Sequence, residues 1–148
     1  MTLPLPAMPD PSVAGLLDGS VPPGVYLWEP PPAGTRVTEV LDAARAVRWR
    51  TALTPLEGVT DKAAFLAACQ SGMELPDWFG RNWDALADCL TDLSWWEEDN
   101  PEGYLFVLTG WADFAASAPE DATTATDVLT ASAGFWSARD TPFVALLG

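Results

Sequence analysis

Apolar residues in the first 22 positions follow neither a helical nor a strand period, and regular patterning begins only beyond them. Val25-Tyr26-Leu27-Trp28 is a short strand candidate stopped by Pro30-Pro31-Pro32, and Val37, Val40, Leu41 and Ala44 suit a short helix starting near Thr35. From about Val47 strand and helix signals alternate. Residues 47–53 place Val47, Trp49, Thr51 and Leu53 on one side of a strand, and residues 59–69 place Phe65, Leu66 and Cys69 at helical spacing behind a cap at Asp61 or Thr60. A second helix is predicted over about 82–93. Residues 104–108 then form a continuous apolar run of strand length, 111–118 a short helix, 123–138 a longer helix and 143–147 a final buried strand. Helix-separated apolar strands predict an α/β fold with a small, mainly parallel sheet covered by helices, to which the N-terminal pieces can add a strand and a helix.

Composition narrows the function. The 148 residues carry 21 acidic and 7 basic side chains, a formal net charge of −14, with eight Trp, six Phe and two Tyr to build a core. Such a charge repels nucleic-acid backbones and anionic membranes and favours a basic protein partner. With no His, imidazole-based triads and the commonest zinc sites are out of reach, and neither a metal nor a cofactor is expected. Cys69 and Cys89 are too few for a disulfide framework and read as inert buried hydrophobes. Nine of the fourteen prolines fall in the first 32 residues, and no Lys or Arg precedes Arg36. The expectation is therefore a Pro-rich extension over 1–45, a folded domain over 46–148, no secretory signal, no membrane span and a cytoplasmic location.

The most informative stretch is residues 76–93. On a helix, Trp83, Leu86, Cys89, Leu90 and Leu93 share one face while Asp84, Asp88 and Asp92 share the opposite one. Like charges at i,i+4 destabilise a helix by about 0.2–0.5 kcal/mol per pair, and Asp92 near the C-terminus opposes the helix dipole. Arg81 offers the acids some relief, but an external cation accounts for them better. Residues 77–102 hold eight acids against Arg81 alone, half the net charge, flanked by Trp78 and Phe79 on one side and Trp95 and Trp96 on the other. Aromatic anchors within single-sign charge suit an electrostatically steered protein interface.

At these residues the chain resembles the barstar family, intracellular inhibitors of barnase-type ribonucleases. The matching elements are Leu75-Pro76-Asp77-Trp78-Phe79-Gly80, then Asn82, Asp84-Ala85-Leu86 and Asp88-Cys89-Leu90-Thr91. The similarity continues through residues 104–108, Trp111 with Phe114, Val128-Leu129 and residues 143–147, covering about 47–148. The resemblance implies a three-stranded parallel sheet with four helices. It also implies an inhibitor that lays its second helix and the preceding loop across the enzyme's basic active site, with carboxylates in place of RNA phosphates. Asp88 matches the family's dominant anchoring aspartate and Asp84 a second interface carboxylate. Trp78 stands where a tyrosine stacks on a catalytic histidine of the enzyme, and Gly80, Asn82 and Thr91 match smaller rim contacts. Asp92, which replaces a glycine, adds acid to that edge. Ala87 and Leu93 replace interface aromatics, and Gly134 falls where a contact glutamate is usual. These departures point to a basic ribonuclease of the barnase type other than barnase itself. The free inhibitor is expected to be a monomer.

Other readings compete. An acidic interaction module of the same fold would bind a partner that is no nuclease. An enzyme would have to work with carboxylates alone, Asp84 and Asp88 standing about 6 Å apart along the helix, and nothing in the sequence supplies a pocket around them. A divalent cation on the acidic ridge would be held weakly at best, because helix-borne carboxylates make a poor cage.

Overall fold

Strands that are apolar on both sides need cover on both sides, and the computed structural model provides it. It describes residues 16–17, 22–27, 37–76, 79–93 and 101–148. In chain order the elements are β1 (Val25–Leu27), α1 (Val37–Ala46), β2 (Trp49–Pro55), α2 (Lys62–Gly72), α3 (Trp83–Leu90), β3 (Gly103–Thr109), α4 (Trp111–Ser117), α5 (Pro119–Ser137) and β4 (Phe143–Leu147).

The four strands form one parallel sheet in the order β1-β4-β3-β2. The expected three-stranded sheet thus gains a fourth member, since Val25, Tyr26 and Leu27 pair with Ala145, Leu146 and Leu147. On one face Ala52, Phe106, Leu108, Phe143 and Ala145 pack beneath α2, α3, α4 and α5. On the other, Trp49, Leu105, Val107, Val144 and Leu146 pack against Val40, Leu41 and Ala44 of α1 and against Leu16. The chain crosses from β1 to the far edge over the α1 face and returns through β3 to β4 over the opposite face. Reversing both direction and face keeps every crossover of one hand, as parallel connections require.

Local chemistry sets the element ends. Asp61 is the cap of α2, its carboxylate accepting from the Ala64 amide at 2.8 Å. α5 begins at Pro119, four residues ahead of the expected start, because proline suits the first helical position and Glu120 and Asp121 suit the first turn. β2 begins at Trp49, two residues later than expected. Val47 and Arg48 instead close a turn off α1, with Arg48 at φ +67° and Val47 45% exposed. No helix among the described residues is long and apolar enough to cross a membrane.

One contact fixes how closely α2 lies on the sheet. A Cβ at Gly72 would stand 2.7 Å from the Leu53 carbonyl oxygen and 2.8 Å from the Thr54 Cα, both backbone atoms with no room to give. Gly72→Ala is expected to lower stability by about 1–3 kcal/mol through overpacking. Gly134→Ala in α5, whose Cβ would meet nothing within 4 Å, is expected to raise it by about 0.5–1 kcal/mol. Urea-denaturation midpoints of the two variants check both signs together.

Candidate functional site

The acidic helix is held by the loop that precedes it. Leu75 and Phe79 are buried, the Leu75 amide donates to the Gln70 carbonyl at 3.0 Å and the Phe79 amide to the Pro76 carbonyl at 2.9 Å. These anchors bind both ends of a short span, while residues 77–78, including the expected contact Trp78, lie outside the described residues, as do Trp95 and Trp96. Gly80, Arg81 and Asn82 follow on the surface. A Cβ at Gly80 would come within 3.2 Å of the Asn82 Nδ2, so a side chain there would press on the cap.

Asn82 starts α3. Its Oδ1 accepts from the Ala85 amide at 2.7 Å, and its Nδ2 donates to the Gly80 carbonyl at 3.4 Å. At the other end Thr91 is the cap, its hydroxyl donating back to the Ala87 carbonyl at 2.8 Å. The Asp92 and Leu93 amides both donate to the Cys89 carbonyl at 3.1 Å, and Leu93 turns to φ +57°. The helix therefore stops at Leu90, three residues short of the expected end. Asp92 is exposed in the turn beyond it and is not the third member of a helical ridge.

Leu86, Cys89 and Leu90 are buried beneath α3, and half-buried Trp83 leans on Phe65 with ring centroids 5.6 Å apart. Trp136 of α5 donates its indole N–H to the Leu90 carbonyl at 2.7 Å, tying the end of α3 to the neighbouring helix. Trp136 falls in the predicted helix over 123–138, but nothing in the sequence reading gives it a role at the acidic helix. The one available signal was its amphipathic chemistry, since a Trp in a packed helix needs an acceptor for its N–H.

With that face buried, Asp84 and Asp88 are exposed one turn apart. Among the described residues neither their carboxylates nor that of Asp92 makes a hydrogen bond or an ion pair; the ion pairs between described residues are Arg45 with Asp42 and Arg50 with Glu74. Arg81, expected to relieve the acids, instead donates from Nε to Gln70 Oε1 at 2.8 Å. Lys62 sits 5.8 Å from the centre of the Trp83 ring. Among the described residues no group of three or more Cys, Asp or Glu side chains is placed to hold a metal ion.

The charge is felt beneath the helix. Burial, then the negative charges of Asp88 and Asp92, push the Cys89 thiol up to about 11, and burial also pushes the Cys69 thiol up. The native state therefore keeps these protons at pH values where the unfolded chain gives them up. Stability from this source is intact below the ordinary thiol range and falls as pH rises through it toward about 11. The urea midpoint is expected to drop between neutral pH and about pH 10, with a smaller drop in Cys89→Ala.

Residues 49–148 match the family model for Barstar, described as a barnase inhibitor. A search of curated proteins finds no match. The matched region opens at the first residue of β2 and contains the whole of the loop and α3, with β1 and α1 preceding it. On that match, joined to an all-parallel α/β sheet and an outward acidic helix in the matched region, the chain belongs to the Barstar (barnase inhibitor) family.

Proposed function

We propose that the protein inhibits a basic ribonuclease of the barnase type by laying α3 and its preceding loop over the enzyme's active site. The observation that carries this reading is the pair Asp84 and Asp88, exposed side by side without a cationic partner among the described residues. Two bare carboxylates on a rigid helix match the demand of a site built to hold phosphates. Asp88 is the principal anchor and Asp84 the second carboxylate. Trp78 stacks on the enzyme, Gly80, Asn82 and Thr91 form the near rim, and Asp92 extends the acidic edge.

Inhibition of this kind needs no chemistry from the inhibitor. The net charge of −14 draws a cationic enzyme in, since complementary fields raise association rates. Docking then removes both carboxylates from water against enzyme cations, and the helix obstructs substrate. The resemblance puts Ala87 and Gly134 on one side of the footprint, where such small residues leave room. A partner with bulkier side chains there fits that side better than one that relies on contacts from it. Residues 46–148 carry the inhibitory surface in this reading, with 1–45 an extension to it. The protein acts as a free cytoplasmic monomer until it meets the enzyme.

The test is inhibition of RNA cleavage by a panel of barnase-type ribonucleases at low and physiological salt. Asp88→Ala is expected to weaken inhibition by about 30-fold or more, the general consequence of truncating an interface anchor, while its stability stays within about 0.5 kcal/mol of wild type. Asn82→Ala is expected to show the contrasting result, a stability loss of about 1 kcal/mol from the missing cap. Association measured by stopped flow should slow as salt rises, because attraction is screened over about 8–10 Å near physiological ionic strength. No inhibition across the panel, or inhibition indifferent to Asp88, would reject the reading in favour of an interaction module with another partner.

A further inference from the structure

Arg81 stands between Gly80 and the helix cap Asn82, in the middle of the surface assigned to the enzyme, and its charge has the wrong sign for that place. Residues 77–102 hold eight acids and no other base. A cation on an acidic face that meets a basic enzyme weakens the attraction that drives association. It also lies at the N-terminal end of α3, where the helix dipole disfavours positive charge.

The local structure gives little in return. The Arg81 backbone turns to φ +50°, a left-handed conformation that glycine adopts far more readily than a residue with a Cβ. Its side chain is exposed and does not close on Asp84, three residues ahead; among the described residues it makes no ion pair. It turns instead to α2, where Nε donates to Gln70 Oε1 at 2.8 Å. Gln70 is half-buried, and its carbonyl accepts the Leu75 amide at 3.0 Å, so one residue of α2 clasps both ends of the loop. This acceptor is neutral. It fixes the direction of the guanidinium and leaves the charge whole.

The choice of nitrogen decides what the charge can hold. With Nε taken by Gln70, Nη1 and Nη2 remain, and their end of the guanidinium presents two parallel N–H donors, the fork that grips a carboxylate. Elsewhere in the chain such groups are satisfied internally, Arg45 Nη1 by Asp42 and Arg50 Nη2 by Glu74.

We infer that Arg81 is a specificity contact: its Nη fork takes a carboxylate side chain of the ribonuclease, beside the basic site that α3 covers, and Gln70 is the positioning residue that aims it. This refines the ribonuclease reading and rests on it. The partner is then basic at its centre and acidic opposite Arg81, and an enzyme with a base at that point is rejected by like charge.

The sign of one substitution tests this. Removing a positive charge from the acidic face tightens binding to a basic enzyme if Arg81 is only a surface residue, and weakens it if Arg81 holds a carboxylate. Against the panel ribonuclease that the wild type inhibits most tightly, Arg81→Gln is expected to raise Kd by about tenfold or more through faster dissociation, with Arg81→Lys intermediate and Gln70→Ala raising it by about threefold. Asp→Asn and Glu→Gln changes around the enzyme's active site are expected to include one that costs the wild-type inhibitor a similar factor and costs Arg81→Gln nothing. That coupling reads the contact itself, whatever Arg81→Gln does to stability. Equal or tighter binding by Arg81→Gln, or a loss that couples to no enzyme carboxylate, overturns the inference and leaves Asp88-dependent inhibition standing. Inhibition indifferent to Asp88→Ala removes the ribonuclease reading and this inference with it.

Discussion

Burial of Leu86, Cys89 and Leu90 is the interaction on which the acidic surface of α3 depends. A helix with that apolar face down has no freedom to hide Asp84 or Asp88, because 100° per residue turns them outward once the other face is committed. The orientation is reinforced by groups that are not acidic at all: Asn82 at one end, Thr91 at the other, and the Trp136 indole on the Leu90 carbonyl. Each leucine or phenylalanine side chain in the core contributes about 1.5–3 kcal/mol. The repulsion of two aspartates costs about 0.2–0.5 kcal/mol. The fold therefore tolerates the acidic face easily and gains nothing from it, which is how a surface shaped for an external partner should look.

The same magnitudes explain the division of labour in the molecule. Packing and caps fix geometry, and exposed charge is left to long-range attraction. The bases described near the acidic face are drawn to other tasks, Arg81 to Gln70 and Lys62 to the Trp83 ring. A family of inhibitors has no need of a catalytic pocket at this face, and a cleft of about 500 Å³ is lined instead by residues at the amino ends of the strands together with Leu16 and Leu17.

Much of this was legible from residue order, and the parts that were not have physical reasons. The buried strands β3 and β4 read directly from unbroken apolar runs, and α2 and α3 from apolar spacing behind Asp61 and Asn82. The start of β2 was misplaced because Val47 continues an alternating pattern that the left-handed turn at Arg48 interrupts. The end of α3 was placed too late because Leu93 keeps helical spacing, and its burial follows from a chain reversal that also keeps it against the core. The partner of Arg81 and the role of Trp136 depend on contacts 11 and 46 residues away along the chain. Spacing rules do not reach that far.

The short strand β1 has a significance beyond extending the sheet. β4 is five residues, Phe143–Leu147, all of them buried and all apolar. Left as the outermost strand, it would present a row of open amides and carbonyls on a segment with no charge and no proline, the profile of a template for cross-β stacking. Three residues of β1 close that row, and β1 ends in exposed Leu27 just ahead of a proline-rich stretch. The sheet edge thus passes from its most adhesive strand to one too short to recruit another chain. Free copies of the chain are thereby kept from joining one another edge to edge, and the sheet stays a property of one molecule.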